Sequence, residues 1–100
     1  MILFEWDDNK NLTNIQKHGI SFEVAKSVFY DYDAILLYDQ KHDNEEDRFL
    51  LIGLDKTATV LVVVHCYRLY FDNQENEIIR IISARKATTK EEKDYWKGIK

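Results

Sequence analysis

The sequence has no proline and only three glycines in its 100 residues. No linker, repeat or low-complexity stretch appears, so the length is that of one domain over residues 1–100. Cys66 is the only cysteine, which excludes an internal disulfide and a metal site built on two thiolates. A reducing cytoplasm fits that usage. The longest uninterrupted aliphatic run, Val60–Val64, is far too short to cross a bilayer, so no membrane association is expected. The opening MILFEWDD has no basic stretch and meets acids at once, unlike a signal peptide. There is no glycine-rich phosphate loop, no G-x-S-x-G and no H-E-x-x-H, so no cofactor is expected.

What is present is an ordinary globular balance, 45% hydrophobic and 32% charged. A chain of this size buries about 60–68% of its unfolded surface, enough for a single core. The net charge of −4 argues against a general nucleic-acid glue, but it is unevenly spread. Residues 1–50 hold five Lys/Arg against eleven Asp/Glu, and residues 51–100 hold nine against seven. The acidic half serves solubility or meets a basic partner.

Alternation in Ile2–Trp6 predicts a short strand. Asp7 or Asp8 offers an N-cap for a helix to about Lys17, and Gly19 is the residue type on which such a helix stops. Ser21 caps a second helix over 22–31, with Phe22, Ala25, Val28 and Phe29 on one face. Strands follow at Ala34–Asp39, Arg48–Leu54, Thr59–Phe71 and Ile78–Lys86, with exposed connections at QKHDNEED and DNQENE. Thr88 and Glu91 have the capping-box spacing that opens a last helix carrying Tyr95, Trp96 and Ile99. The order β-α-α-β-β-β-β-α, with successive strands in a meander, makes the class α+β with a small antiparallel sheet.

The chemistry-bearing stretch is VVVHCYRLYFDNQENEIIRIISARKAT, where His65, Arg68, Arg80, Arg85 and Lys86 interrupt apolar strands. Cations in a sheet are costly unless they meet an anion. Arginine offers a fork for phosphate and histidine a proton near neutral pH. The structural alternative is that the arginines pair with Asp72, Glu75 or Glu77 and that His65 is half-buried on backbone. A turn centred on Gln74 sets His65 opposite Ser83, Tyr67 opposite Ile81, Arg68 opposite Arg80, and Arg85 beside Val63. Strict alternation puts Arg80 and Lys86 on one face and Arg85 on the other.

Two further patterns carry less. QKHGIS between two helices resembles a helix-turn-helix, but Glu23 at the front of the second helix suits DNA poorly, and Lys17 and His18 complement a helix C-terminus. KHDNEED holds His42, Asp43 and Glu45 without the glycine of a hard-cation loop, so a solvated acidic loop is expected and no metal site.

FEWD, KHGISFEVA, RFLLIGL, LVVVH and IIRIISARKATTKEE occur in an order that resembles the BrnT family of bacterial type II toxins, from Phe4 to about Tyr95. The resemblance implies a fold like the RelE-type ribonuclease toxins, RNA cleavage that inhibits translation, and neutralisation by a BrnA-type antitoxin. It implies that the antitoxin carries the DNA-binding element, so this chain meets DNA only indirectly. Asp8 stands where the family often has proline, a position where a helix start tolerates either. The hairpin RLYFDNQENE looks longer than in compact members, which bears on access to the site.

With that resemblance, the expected activity is metal-independent RNA cleavage. His65 is the candidate acid or base. Arg85 is the candidate transition-state cation, with Arg48 its helper. Lys17, Arg68, Arg80 and Lys86 track the RNA backbone, as does His18, which is also a second proton-transfer candidate. The alternatives are a non-catalytic module that binds a basic partner protein and a helix-turn-helix DNA binder. A short, basic open reading frame beside the gene favours the toxin over the interaction module.

Overall fold

The computed structural model describes residues 2–39, 47–69 and 77–98. In chain order these form β1 (Ile2–Glu5), α1 (Asp8–His18), α2 (Phe22–Lys26), a 3-10 turn (Ser27–Tyr30), β2 (Ile35–Tyr38), β3 (Phe49–Leu54), β4 (Val60–Leu69), β5 (Glu77–Lys86) and α3 (Thr89–Gly98). The strands make one five-stranded sheet in the order β1-β5-β4-β3-β2, and the class is α+β as expected. The expected connections at 40–46 and 72–76, with His42, Asp43, Glu45 and the turn residues, lie outside the described residues, as do Phe71 and Ile99.

Local signals set the helix boundaries. Asp7 accepts the N–H groups of Asn9 and Lys10, and Gly19 ends α1 at φ 71° while its N–H donates to Ile15 O. Ser21 Oγ caps α2 through Val24 N–H. The second helix is shorter than its apolar spacing suggests. Ser27 Oγ donates to Val24 O at 2.6 Å and accepts Lys56 N–H at 2.8 Å, and the chain tightens into the 3-10 turn there. At the other end of the chain, Thr88 and Glu91 form the capping box, Thr88 N–H donating to Glu91 Oε1 and Glu91 N–H to Thr88 Oγ1.

The sheet is not wholly antiparallel: β1 lies parallel to β5, with Glu5 opposite Arg80. The meander β2–β5 leaves one edge of β5 open, and β1 fills part of it. Helices α1 and α2 then carry the chain over one face to β2 at the far edge. That first face is sealed by Ile20, Phe22, Ala25 and Val28 against Leu51, Leu61, Val63, Ile81 and Ala84. Burying a side chain such as Phe22 contributes about 1.5–3 kcal/mol. The second face carries Ile52, Val60 and Val62 under Tyr95 of α3. Gly53 leaves no room for a side chain: a Cβ there would sit 2.9 Å from both Ala34 Cβ and Asp31 Oδ2.

The hairpin register differs from the expected one. His65 faces Ile81, Tyr67 faces Ile79, Arg68 faces Ile78 and Arg85 faces Val62, because the pairs are centred one position earlier and a bulge lies beside Val64 and His65. Ile82 is the extra residue, since Ser83 pairs with Val64 and Ile81 with His65. The bulge keeps Ile81 and Ala84 in the same core and breaks the alternation. Arg80, opposite Cys66, and Lys86, opposite Leu61, therefore lie on opposite faces, and Arg85 joins Arg80 on the second face.

Candidate nucleic-acid interface

One cationic group forms where β1, β4 and β5 meet on the second face. Glu5 Oε1 lies 3.0 Å from Arg68 Nε and 3.7 Å from Arg80 Nη1. A carboxylate between two guanidiniums removes their mutual repulsion. Sheet pairing builds it, since Glu5 is opposite Arg80 and Arg68 is two residues on from Arg80's partner Cys66. Arg48 stands one residue before β3, its carbonyl accepting Asp39 N–H at 2.9 Å. Its Nε is buried without a hydrogen-bond partner among the described residues.

A second group lies along α1. Asn9, Lys10, Thr13, Lys17 and His18 are spaced so that they share one helix stripe, and all are exposed. They line a cleft of about 270 Å³ whose other wall is Ile82 and Ser83 at the bulge of β5. Asn14, on the same stripe, is buried and fixes the helix to this edge. Its amide donates to Ala84 O and Ile20 O and accepts Ala84 N–H. Ser83 pairs with Val64 and so lies on the face that carries Arg80. The two groups are about 10 Å apart along β5 at the usual rise per residue.

The remaining sequence candidates lie elsewhere. His65 has no exposed surface. Its ring meets Phe29 edge-on at 4.8 Å and stacks with Phe49 at 6.0 Å. Its nitrogens contact Val63 O at 3.2 Å and Tyr67 Oη at 3.3 Å. Burial pushes its pKa down, against the pull of the Val63 carbonyl, and favours the neutral ring. RNA has no route to it in this structure.

Arg85 is engaged at both arms, Nη1 to Glu91 Oε1 at 2.7 Å and Nη2 to Glu91 Oε2 at 2.9 Å. Glu91 raises the Arg85 pKa, and Arg85, with Thr88, holds the Glu91 carboxyl down at about 2. A phosphate at Arg85 must displace this carboxylate. Lys86 lies on the first face near Asp55, Thr57 and Thr59, at the end of the hairpin remote from Arg68. The helix-turn-helix alternative finds no support in the geometry, because α2 has only five residues and presents Glu23 at its front.

The eight sequence candidates thus do not form one cluster. Lys17 and His18 come together, as do Arg68 and Arg80; Arg48 stands just before β3, and His65, Arg85 and Lys86 stand apart. A family model described as "Ribonuclease toxin, BrnT, of type II toxin-antitoxin system" matches residues 6–91. The chain belongs to the BrnT ribonuclease toxin family. Among solved structures, the Brucella abortus ribonuclease toxin BrnT is similar at 27% identity and TM-score 0.60, over 89% of this chain and 99% of that one. A comparison with curated proteins finds no match.

Lys10, Asn9, Thr13 and Glu5 were not among the sequence candidates. The seven-residue spacing of Lys10 and Lys17 was the available signal for the stripe. Nothing local marked Glu5, whose role comes from a strand pairing across the whole chain. Among the described residues, no group of three or more His, Cys, Asp or Glu side chains is placed to hold a metal ion. No helix among them is long and apolar enough to cross a membrane.

Proposed function

We propose that this BrnT-family toxin cleaves RNA without a metal at the cleft between α1 and the β5 bulge, stops translation in the cytoplasm and is neutralised by a BrnA-type antitoxin. The observation that supports this best is the exposed stripe Lys10–Thr13–Lys17–His18 facing Ser83 across the cleft. In the reaction, the ribose 2′-oxygen forms a bond to phosphorus and the bond from phosphorus to the 5′-oxygen breaks. His18 takes the 2′-hydroxyl proton. The leaving 5′-oxygen takes a proton from Lys17, and the products are a 2′,3′-cyclic phosphate and a 5′-hydroxyl. Lys10 holds the phosphate. Arg80, Arg68 and Arg48 extend the track along the sheet. On this reading, His65 is a core residue and Arg85 an anchor for α3, and contact with DNA comes only through the antitoxin.

The test is cleavage of a defined RNA by purified protein in chelator. His18→Ala should lower the rate by about 10²–10⁴, the usual contribution of a proton-transfer group. Its melting temperature should hold, since His18 is exposed. Expression of the chain alone should arrest growth and degrade RNA, and co-expression of the antitoxin should restore both. Wild-type cleavage rates in His18→Ala, or loss of all cleavage in chelator with recovery on adding a divalent ion, would overturn the assignment.

A further inference from the structure

Beside its cations, the cleft between α1 and β5 has an uncharged wall. Ile82 and Ser83, both half-buried, line it opposite Lys10, Thr13, Lys17 and His18. Consecutive residues of a regular strand point to opposite faces. Ile82 is the extra residue of the bulge, and there the strand sets an aliphatic and a hydroxyl side chain against one cleft. The charges that line the cleft are of one sign, since no Asp or Glu is among them. Asp7 is turned back onto the N–H groups of Asn9 and Lys10, and Asp8 lies nearly half a turn around the helix from Lys10 and Lys17. Glu5 and Glu91, carboxylates on neighbouring parts of the sheet, are held by arginines. Neither Lys10 nor Lys17 has a carboxylate partner among the described residues.

An RNA chain offers few groups that fit an aliphatic wall. Its phosphates and ribose hydroxyls are hydrated, and the faces of its bases are the one extended surface that gains from leaving water. In a duplex those faces are stacked and covered, so only an unpaired nucleotide can present one. At about 270 Å³ the cleft is at the small end of ligand sites, which suits one nucleotide. We propose that Ile82 and Ser83 are base-recognition residues: one unstacked base of a single-stranded RNA lies with its face on Ile82 and its edge at Ser83 Oγ, and the phosphate joined to it meets Lys10 and Lys17. Ile82 makes a contact that any base can meet, since every base has a flat face. The Ser83 hydroxyl donates or accepts as the base edge requires. The wall therefore demands a base and discriminates weakly among the four. Resting on the cleavage reading above, this makes single-stranded RNA the substrate class of the cleft.

The experiment uses the full chain, labelled with ¹⁵N and with ¹³C at the isoleucine methyls, and two 2′-O-methyl RNA hexamers, one of adenines and one abasic throughout. The adenine hexamer should shift the Ile82 methyl resonances through the ring current of a base. The abasic hexamer, with the same phosphates, should shift the Lys10 and Lys17 amides and leave Ile82 unchanged. In cleavage assays, wild type should cut a defined sequence in a hairpin loop and leave the same sequence intact in a stem. Ile82→Ala should lower kcat/KM on a single-stranded RNA about tenfold, the low end for trimming an apolar contact. On that RNA made abasic at the contacted nucleotide beside the cut, Ile82→Ala and wild type should cleave equally. A defect of folding would instead lower both substrates together. The proposal is overturned by Ile82 shifts that are equal for the two hexamers or absent with both, by an equal loss on intact and abasic RNA, or by cleavage of the stem as fast as the loop. The two readings fail separately. Wild-type cleavage by His18→Ala with the Ile82 shifts intact strikes the chemistry alone, and an unshifted Ile82 with His18→Ala inactive strikes the base site alone.

Discussion

Asn14 and Ala84, 70 residues apart, are joined by a reciprocal pair of hydrogen bonds, Asn14 Nδ2 to Ala84 O at 2.8 Å and Ala84 N to Asn14 Oδ1 at 3.1 Å. The side-chain amide stands in for a neighbouring strand. β1 pairs with β5 only as far as Arg80, and Asn14 satisfies the edge beyond it. Asn14→Ala would leave buried groups on Ala84 and Ile20 without partners, and should cost about 2–4 kcal/mol. Asn14→Asp keeps the acceptor but loses both donated bonds and buries a charge, so it should be at least as damaging. Urea unfolding of the two variants checks this. A loss below about 0.5 kcal/mol in both would mean that water or strand motion replaces the amide.

A second tie, between Arg85 and Glu91, joins β5 to α3 through a two-armed ion pair. The Glu91 carboxyl is held down at about 2 by Arg85 and Thr88. A carboxyl depressed on folding contributes stability above its unfolded pKa and loses it as pH falls through the folded value. The loss should therefore run from about pH 4.5 to about 2. Because Arg85 is 40% exposed, solvent screening reduces the contribution to about 1 kcal/mol. Glu91→Gln should flatten this part of the stability–pH curve, and Arg85→Ala should lower the melting temperature at pH 7. Thermal melting between pH 2 and pH 7 measures both. A pH profile for Glu91→Gln that overlays wild type would remove the pair from the account of stability.

The elements that were legible from sequence are those fixed by neighbours in the chain. Asp7, Gly19, Ser21 and the Thr88–Glu91 box lie where their side-chain or backbone chemistry places them. What was not legible depends on distant partners. The parallel pairing of β1 with β5 brings Glu5 to Arg80, and no local pattern contains it. Ile82 looks like any other aliphatic residue in IIRIIS, yet it is the bulged position that reverses the faces of Arg80 and Lys86. Arg85 reads as a phosphate fork because it is a cation in an otherwise apolar strand, and its partner Glu91 reads from sequence only as a helix cap. The candidate stripe on α1 was half visible, with Lys17 and His18 recognised and Lys10 not, because the depth of the cleft depends on the bulge facing it.

The cationic stripe makes a prediction about salt. Each lysine that neutralises a phosphate on single-stranded RNA contributes about 0.7 to the slope of log affinity against log salt. Lys10→Ala and Lys17→Ala should each reduce that slope by about this amount. Lys86→Ala, at the remote end of the hairpin, should change it much less. Fluorescence anisotropy with an RNA carrying 2′-O-methyl ribose throughout separates binding from cleavage. Stability should stay within about 0.5 kcal/mol of wild type, since both helix lysines are exposed. Equal slopes for all three variants would place the RNA elsewhere.

His65 separates a core role from a catalytic one most sharply. Its ring is enclosed by Phe29, Phe49 and Tyr67, and burial holds its pKa below the ordinary value. The unfolded chain binds a proton here more readily than the folded one. Stability from this group is therefore full above about pH 6.5 and falls as the pH drops below it, the opposite of a histidine stabilised by a carboxylate. His65→Phe removes the titration and keeps an aromatic ring against Phe29 and Phe49. It loses contacts to the Val63 carbonyl and the Tyr67 hydroxyl, so its stability at pH 7.5 should change by no more than about 1.5 kcal/mol. Its unfolding free energy should then vary less than that of wild type between pH 5 and pH 7. A core residue also predicts RNA cleavage at pH 7 close to the wild-type rate once the fraction folded is accounted for. A proton-transfer residue predicts a loss of about 10²–10⁴ with the fold intact. Cleavage kinetics and chemical denaturation of the same preparation give both numbers. A variant that folds and no longer cleaves would return His65 to the chemistry and overturn the assignment to His18.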